Sequence, residues 1–290
     1  MPILQYKIHT VETVKSTNST VKALAKEGAP EGYVLAASGQ TNGRGRLNRV
    51  FFSPKGTGLY VSILLRPECD LPPYALTCMS AAALCETIED FHITCGIKWV
   101  NDIYIEGKKA AGILVESAMD RDGSYLYAVV GIGVNVFPPA DGFPPELADK
   151  ATSIFQTEPD EELRKQFMKR LLLRFKRYYE QLPKITFHEL YRNHLVGIGS
   201  EVLVSEADGV RYGHVEISEV AIVLGHLLAR LGEILLRDGV VVEPADRVPP
   251  RIPAERLAQI RRLGVLVALE KVLLDLAALP LLDHHRHRDL

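Results

Sequence analysis

Between residues 97 and 135 the chain carries four short runs of strand-forming residues, at 97–100, 103–105, 111–117 and 125–135, joined by tight Gly turns at Glu106-Gly107 and Asp122-Gly123. Such a cluster commits the middle of the chain to a sheet. Further strands are expected at 4–11, at Tyr33–Ala37 and at Gly58–Leu65. Helices are few and long. Ser16-Thr17-Asn18 offers caps for a short helix running to about Lys26, stopped by Gly28 and Pro30. Pro72-Pro73 opens an Ala-rich helix to about Asp90. Residues 160–182 form an amphipathic helix whose Leu163, Phe167, Leu171, Phe175 and Tyr179 recur every four residues, making one core face. Clustered strands with few long helices predict an α+β fold with a mixed β-sheet and flanking helices.

The richest stretch for chemistry is 39–60. Its five glycines permit close approach of backbone to a ligand, and Arg44, Arg46 and Arg49 each present a fork of donors suited to a phosphate or carboxylate. A loop that closes over an anion fits this combination. A Gly/Arg nucleic-acid module is the rival, but the net charge of −2 and the enzyme-like spacing of the motifs speak against it. Three further segments stand out. Ser16-Thr17-Asn18 reads as a helix cap when taken alone. Lys98-Trp99-Val100-Asn101-Asp102 leads into Gly107-Lys-Lys-Ala-Ala-Gly-Ile-Leu-Val-Glu116; Lys and Asp so close suggest a salt bridge, and Asn101-Asp102 also offers oxygen ligands of the kind magnesium takes beside substrate phosphates. Gly131-Ile-Gly-Val-Asn135 is a poor dinucleotide motif, since it lies inside a strand, but a fair one for a strand whose backbone is bared to a ligand.

In this order and spacing, G-R-G-R-x-x-R, K-W-x-N-D, G-K-K-x-A-G-I-L-V-E and G-I-G-V-N resemble the catalytic domain of the biotin protein ligases, or biotin–[acetyl-CoA-carboxylase] ligases, over about residues 8–200. The resemblance implies ATP-dependent activation of biotin to biotinyl-5′-AMP, then transfer to one lysine of a biotin carboxyl carrier protein of a biotin-dependent carboxylase. It also implies roles for residues. Ser16, Thr17, Asn18 and Gln40 would hydrogen-bond biotin. Gly43, Arg44, Gly45 and Arg46 would close over it, with Lys109, Gly112, Ile113, Gly131 and Gly133 lining the pocket. Arg44, Arg46, Arg49, Phe51, Asn101 and Asn135 would hold ATP, and Asn101 and Asp102 the magnesium. Arg46, Lys109 and Asp102 would be the catalytic groups, Asp102 as a base or orienting group for the incoming lysine. A lipoate or octanoate ligase of the same superfamily is the nearest alternative, and it lacks the G-R-G-R-x-x-R loop. A ligase-like protein disabled by its altered C-terminus is another.

Two departures from the family pattern matter. Val100 stands where the family usually has Pro, and should keep a strand-like backbone. Phe51 or Phe52 stands near the position of a family Trp, and either can cover a ligand ring. The organisation expected is a catalytic domain over 1–196, the start of a small β-barrel over 197–215, and an atypical tail over 216–290. From Gly213 onward there is no Phe, Trp, Tyr, Asn, Thr, Cys or Met, and Lys271 is the only lysine. A Leu-rich helical appendage fits this shift; so does a departure from the gene's original reading frame near residue 215.

No apolar run approaches the roughly 20 residues of a membrane span, and the N-terminus lacks a signal-peptide pattern. The expected location is the cytoplasm, with no membrane partner. The cysteines Cys69, Cys78, Cys85 and Cys95 include no C-x-x-C pair and read as small buried hydrophobes. Because the catalytic pattern starts within about ten residues of Met1, no DNA partner is expected. A homodimer is left open.

Overall fold

The computed structural model describes residues 3–46, 49–68, 71, 73–182, 186–197, 201–206, 209–214 and 241–244. These fall into two compact units that divide after Val196. The expectations for Pro72 as a helix opener, for Cys69 and for nearly all of 216–290 lie outside the described residues.

The first unit is built on a seven-stranded mixed sheet of order β1-β2-β3-β7-β6-β5-β4, which matches the α+β expectation. Its strands are β1 (Lys7–Val14), β2 (Tyr33–Gln40), β3 (Gly58–Leu65), β4 (Gly96–Lys98), β5 (Asp102–Ile105), β6 (Lys108–Met119) and β7 (Tyr125–Asn135). Only the β1–β2 pairing is parallel; every other neighbouring pair is antiparallel. The parallel pair has a direct consequence for the site. Val14 lies opposite Gln40, so the segments after β1 and β2 both leave from the same end of the sheet.

Helix α1 (Thr17–Lys26) starts where Ser16 caps it, the Ser16 hydroxyl accepting the Ser19 N–H. Val21 and Ala25 of α1 pack with Leu35, Leu64, Tyr127 and Val129. Helix α2 (Pro73–Glu89) is apolar nearly all round and buried, as such a helix must be. Its two buried hydroxyls donate to their own helix, Ser80 to the Leu76 carbonyl and Thr87 to the Ala83 carbonyl. Helix α3 (Glu161–Glu180) is capped by Asp160, whose Oδ1 accepts from the Glu162 and Leu163 amides. Phe167, Leu171, Phe175 and Tyr179 are buried as the spacing requires, whereas Leu163 is only half-buried. Arg170 and Arg174 of α3 pair with Asp90 just past the end of α2, at 3.0 and 2.7 Å.

Three local expectations are corrected. β1 runs from Lys7 to Val14, not 4–11. It is an edge strand with mostly exposed side chains, so no buried face fixes its position; buried Leu4 precedes it, its N–H held by the Glu180 carboxylate. Val100 is not strand-like: Lys98 pairs with Asp102, so residues 99–101 must reverse the chain, and the Trp99–Val100 peptide bond is cis. A short helix, α4 (His188–His194), adds to the helices expected from the sequence.

The second unit contributes a three-stranded antiparallel sheet, β10-β8-β9, formed by β8 (Glu201–Glu206), β9 (Gly209–His214) and β10 (Val241–Pro244). Among the described residues no helix is long and apolar enough to cross a membrane.

Candidate active site

Strand register brings most of the expected site residues onto one face. Tyr60 pairs with Gly133, Gly133 with Gly112, and Gly112 with Asp102, which makes one row across β3, β7, β6 and β5. Two residues along, Ser62 pairs with Gly131 and Gly131 with Leu114. Because side chains alternate along a strand, both rows face the same way. Gly112, Gly131 and Gly133 therefore leave a strip of this face without side chains of its own, and Lys109, Asn18 and Phe51 close over it. Ile113 has the opposite parity, and its side chain is buried on the other face; its backbone N–H donates to the Asn101 carbonyl at 2.9 Å.

Helix α1 supplies one wall. The Thr17 N–H and hydroxyl both donate to Gln40 Oε1, at 2.8 and 3.1 Å, and Gln40 Nε2 donates to Ser53 Oγ at 3.2 Å. Asn18 reaches over Gly131: a Cβ there would lie 2.1 Å from its Oδ1. Its Oδ1 accepts from Ser62 Oγ at 2.6 Å, and its Nδ2 donates to the Leu114 carbonyl and to Glu116, each at 3.2 Å. Ser16 is buried and caps α1.

The glycine–arginine loop supplies the opposite wall. The Phe51 N–H donates to the Gly43 carbonyl, Arg44 and Val50 form a bridge, and the Gly45 N–H donates to the Arg49 carbonyl at 2.7 Å. A Cβ on Gly43 would strike the Phe51 carbonyl and Ser53 Oγ at 2.4 Å, so this close folding requires glycine. Phe51 lies over Gly133, where a Cβ would meet its ring at 3.0 Å, and the Lys109 Nζ sits 5.8 Å from that ring. Phe52 turns instead toward Phe143.

The cations are already engaged. Arg46 donates to Asn101 Oδ1 at 3.0 Å, and Lys109 pairs with Asp102 Oδ1 at 2.6 Å. Asp102 takes Lys109 as its salt-bridge partner across the β5–β6 ladder, where the sequence spacing points to Lys98. Burial pulls the Arg46 guanidinium below its ordinary value, while the Asp102 and Tyr191 oxygens oppose that and Arg49 adds to it; an arginine stays charged regardless. Arg44 donates to Ser19 Oγ at 3.4 Å and lies 3.7 Å from Glu116. Asn135 is buried with its amide on the Thr152 carbonyl at 3.0 Å, so its side chain braces the 135–152 crossing.

One oxygen of each residue expected to hold magnesium, Asn101 Oδ1 and Asp102 Oδ1, is already engaged in this structure. Asn101 Oδ1 accepts from a guanidinium, while Asp102 Oδ1 accepts from both Lys109 and the Asn101 amide. No cluster of three His, Cys, Asp or Glu suited to a metal occurs among the described residues.

The sequence motifs assign no role to Glu116, although it ends the G-K-K-x-A-G-I-L-V-E run. Its parity with Gly112 and Leu114 places it on the same face. Burial alone would raise its carboxyl, but hydrogen bonds from Lys22 and Asn18, with the charges of Lys22 and Arg44, outweigh that and hold it below the ordinary value.

Known proteins resemble this chain in sequence and fold. The family model for the biotin/lipoate A/B protein ligase family matches residues 10–135. A bifunctional ligase/repressor of Bacillus spizizenii is 37% identical over 207 residues, covering 70% of this chain and 63% of its own length. The chain thus spans less than two thirds of that relative. A biotin–[acetyl-CoA-carboxylase] ligase of Paracoccus denitrificans is 32% identical, covering 59% of this chain and 72% of the relative. The biotin protein ligase of Aquifex aeolicus, solved in complex with biotin and ATP, superposes with a TM-score of 0.61 at 29% identity, over 73% of this chain and 88% of that one. With four motifs meeting on one sheet face and these likenesses spanning it, the chain belongs to the biotin protein ligases of the biotin/lipoate A/B protein ligase family.

Proposed function

We propose that the chain activates biotin with ATP to biotinyl-5′-AMP, releasing pyrophosphate, and transfers the biotinyl group to a lysine of a biotin carboxyl carrier protein. The observation that carries this is the meeting of the four motifs on one sheet face, with Arg46 and Lys109 at its Asp102 end. A flat fused ring takes the glycine strip as Phe51 and Lys109 move off it, its polar edge reached by Thr17, Asn18 and Gln40. A carboxylate oxygen attacking the α-phosphate brings two anions together, so the step depends on positioning and charge neutralisation. Arg46 and Lys109 supply that charge. Each sits in a hydrogen-bonded pair it can exchange for a substrate anion, which places it beforehand. In the second step the lysine amine attacks the acyl carbon, the acyl C–O bond breaks and AMP leaves. Asp102, freed as Lys109 turns to substrate, takes the proton from that amine. The reaction belongs in the cytoplasm, where ATP and the carrier protein meet.

The test is pyrophosphate release by purified protein with labelled ATP and either biotin or lipoate, followed by labelling of a carrier domain. Biotin-dependent release and carrier labelling are expected. Release with lipoate alone would assign the chain to the other branch of the family, and no release with either acid would refute the ligase reading.

A further inference from the structure

We propose that Glu116 is a positioning residue that fastens the glycine–arginine loop to helix α1, fixing the Asn18 amide with one carboxylate oxygen and Arg44 with the other. Oε2 accepts from Asn18 Nδ2 at 3.2 Å; Oε1 takes Lys22 at 2.7 Å and Arg44 at 3.7 Å. Its side chain is 16% exposed, while those of Lys22 and Arg44 are 34% and 39% exposed, so these pairs are partly screened by water. The Asn18 amide is turned one way by its surroundings: NH2 toward the Leu114 carbonyl and Glu116, oxygen toward the Ser62 hydroxyl.

Arg44 begins the loop, and two residues later Arg46 reaches Asn101. Arg44 is thus tied to α1 at Ser19 and to β6 through Glu116, and Arg46 to the β4–β5 turn through Asn101. The tie to the turn uses Arg46, a group that substrate must recruit. The tie to β6 uses a carboxylate with no such duty, so it can hold the loop's root while Arg46 exchanges partners. The bland alternative is that Glu116 serves Lys22 alone, as an ordinary ion pair between a strand and a helix.

Limited trypsin digestion separates the two, because Arg44, Arg46 and Arg49 are themselves cleavage points and cleavage tracks local opening. In Glu116→Gln the shape is kept and the charge is lost, and nicking within 44–49 should quicken by about fivefold, the scale of one partly screened ion pair. Lys22→Met should leave the rate unchanged. In Glu116→Ala, Asn18 also loses an acceptor, so KM for biotin should rise beyond that of Glu116→Gln while kcat falls less. Equal nicking of wild type and Glu116→Gln would overturn the proposal, as would equal acceleration in Lys22→Met. Should the Glu116 variants fail to fold, Arg44→Gln carries the same test, read as nicking at Arg46 and Arg49. The KM arm rests on the biotin reading and the nicking arm does not. Nicking as expected with no biotin dependence would therefore retain the tie and remove only the substrate.

Discussion

Gly131→Ala tests the glycine strip directly. The three nearest atoms to the new Cβ all belong to one side chain: Asn18 Oδ1, Cγ and Nδ2 at 2.1, 2.7 and 2.9 Å. Asn18 cannot simply swing aside, because it is 4% exposed and bonded to Ser62, Leu114 and Glu116. The expected cost is that of overpacking a filled interior, about 1–3 kcal/mol. At about 2–4 °C per kcal/mol for a domain of this size, the melting temperature should fall by about 2–12 °C. Asn18→Ala alone leaves the buried Ser62 hydroxyl without its acceptor and should cost about 1–3 kcal/mol. The double variant decides the matter. With Asn18 truncated, the three atoms nearest the alanine methyl are gone, so Gly131→Ala/Asn18→Ala should be no less stable than Asn18→Ala. Calorimetry on the four proteins gives the coupling. If the two single losses add within about 0.5 kcal/mol, the methyl is striking something else and the placement of Asn18 over Gly131 is wrong.

The same geometry sets other outcomes. Tyr191 donates to the Val100 carbonyl at 3.1 Å, so Tyr191→Phe should cost about 1 kcal/mol in urea unfolding and lower kcat by loosening the turn that presents Asn101 and Asp102. Arg46→Gly removes the tie to Asn101 and should shorten the half-life of enzyme-held biotinyl-adenylate; an unchanged half-life would count against the loop's role. Glu116 is held below its ordinary value, so its contribution is present above the unfolded carboxyl value of about 4.3 and fades as pH falls through the folded one. The stability gap between wild type and Glu116→Gln should therefore close on acidification below about pH 4, as seen in urea midpoints against pH. Burial pushes the Cys78 thiol up to about 12, so a thiol reagent at pH 8 should spare Cys78 while reaching half-buried Cys95, which mass spectrometry can score.

Local chemistry explains what is legible in the sequence. Gly58–Leu65 and Tyr125–Asn135 can be read with their observed bounds because largely buried strands bounded by glycine or turn residues announce themselves. Ser16 and Asp160 announce their helices by capping. What stays hidden depends on register between distant strands. Lys109 meets Asp102 across a ladder that shifts at Ile103/Tyr104, and no spacing rule reveals a bulge. Asn18 and Glu116 are 98 positions apart, joined only because β7 lies between β3 and β6 and leaves room at Gly131. The bracing bond of Asn135 is equally hidden, because its partner, the Thr152 carbonyl, lies in an irregular loop.

A floor made of backbone has no rotamers to lose. Ordering a long side chain around a ligand costs up to about 1.5–2 kcal/mol of conformational entropy, and the peptide surface at Gly112, Gly131 and Gly133 is exempt from that cost because the sheet froze it during folding. The adaptable parts of this pocket are its walls, the first turn of α1 and the loop from Gly43 to Phe51. A change of acyl substrate would have to be written there, in side chains that can move.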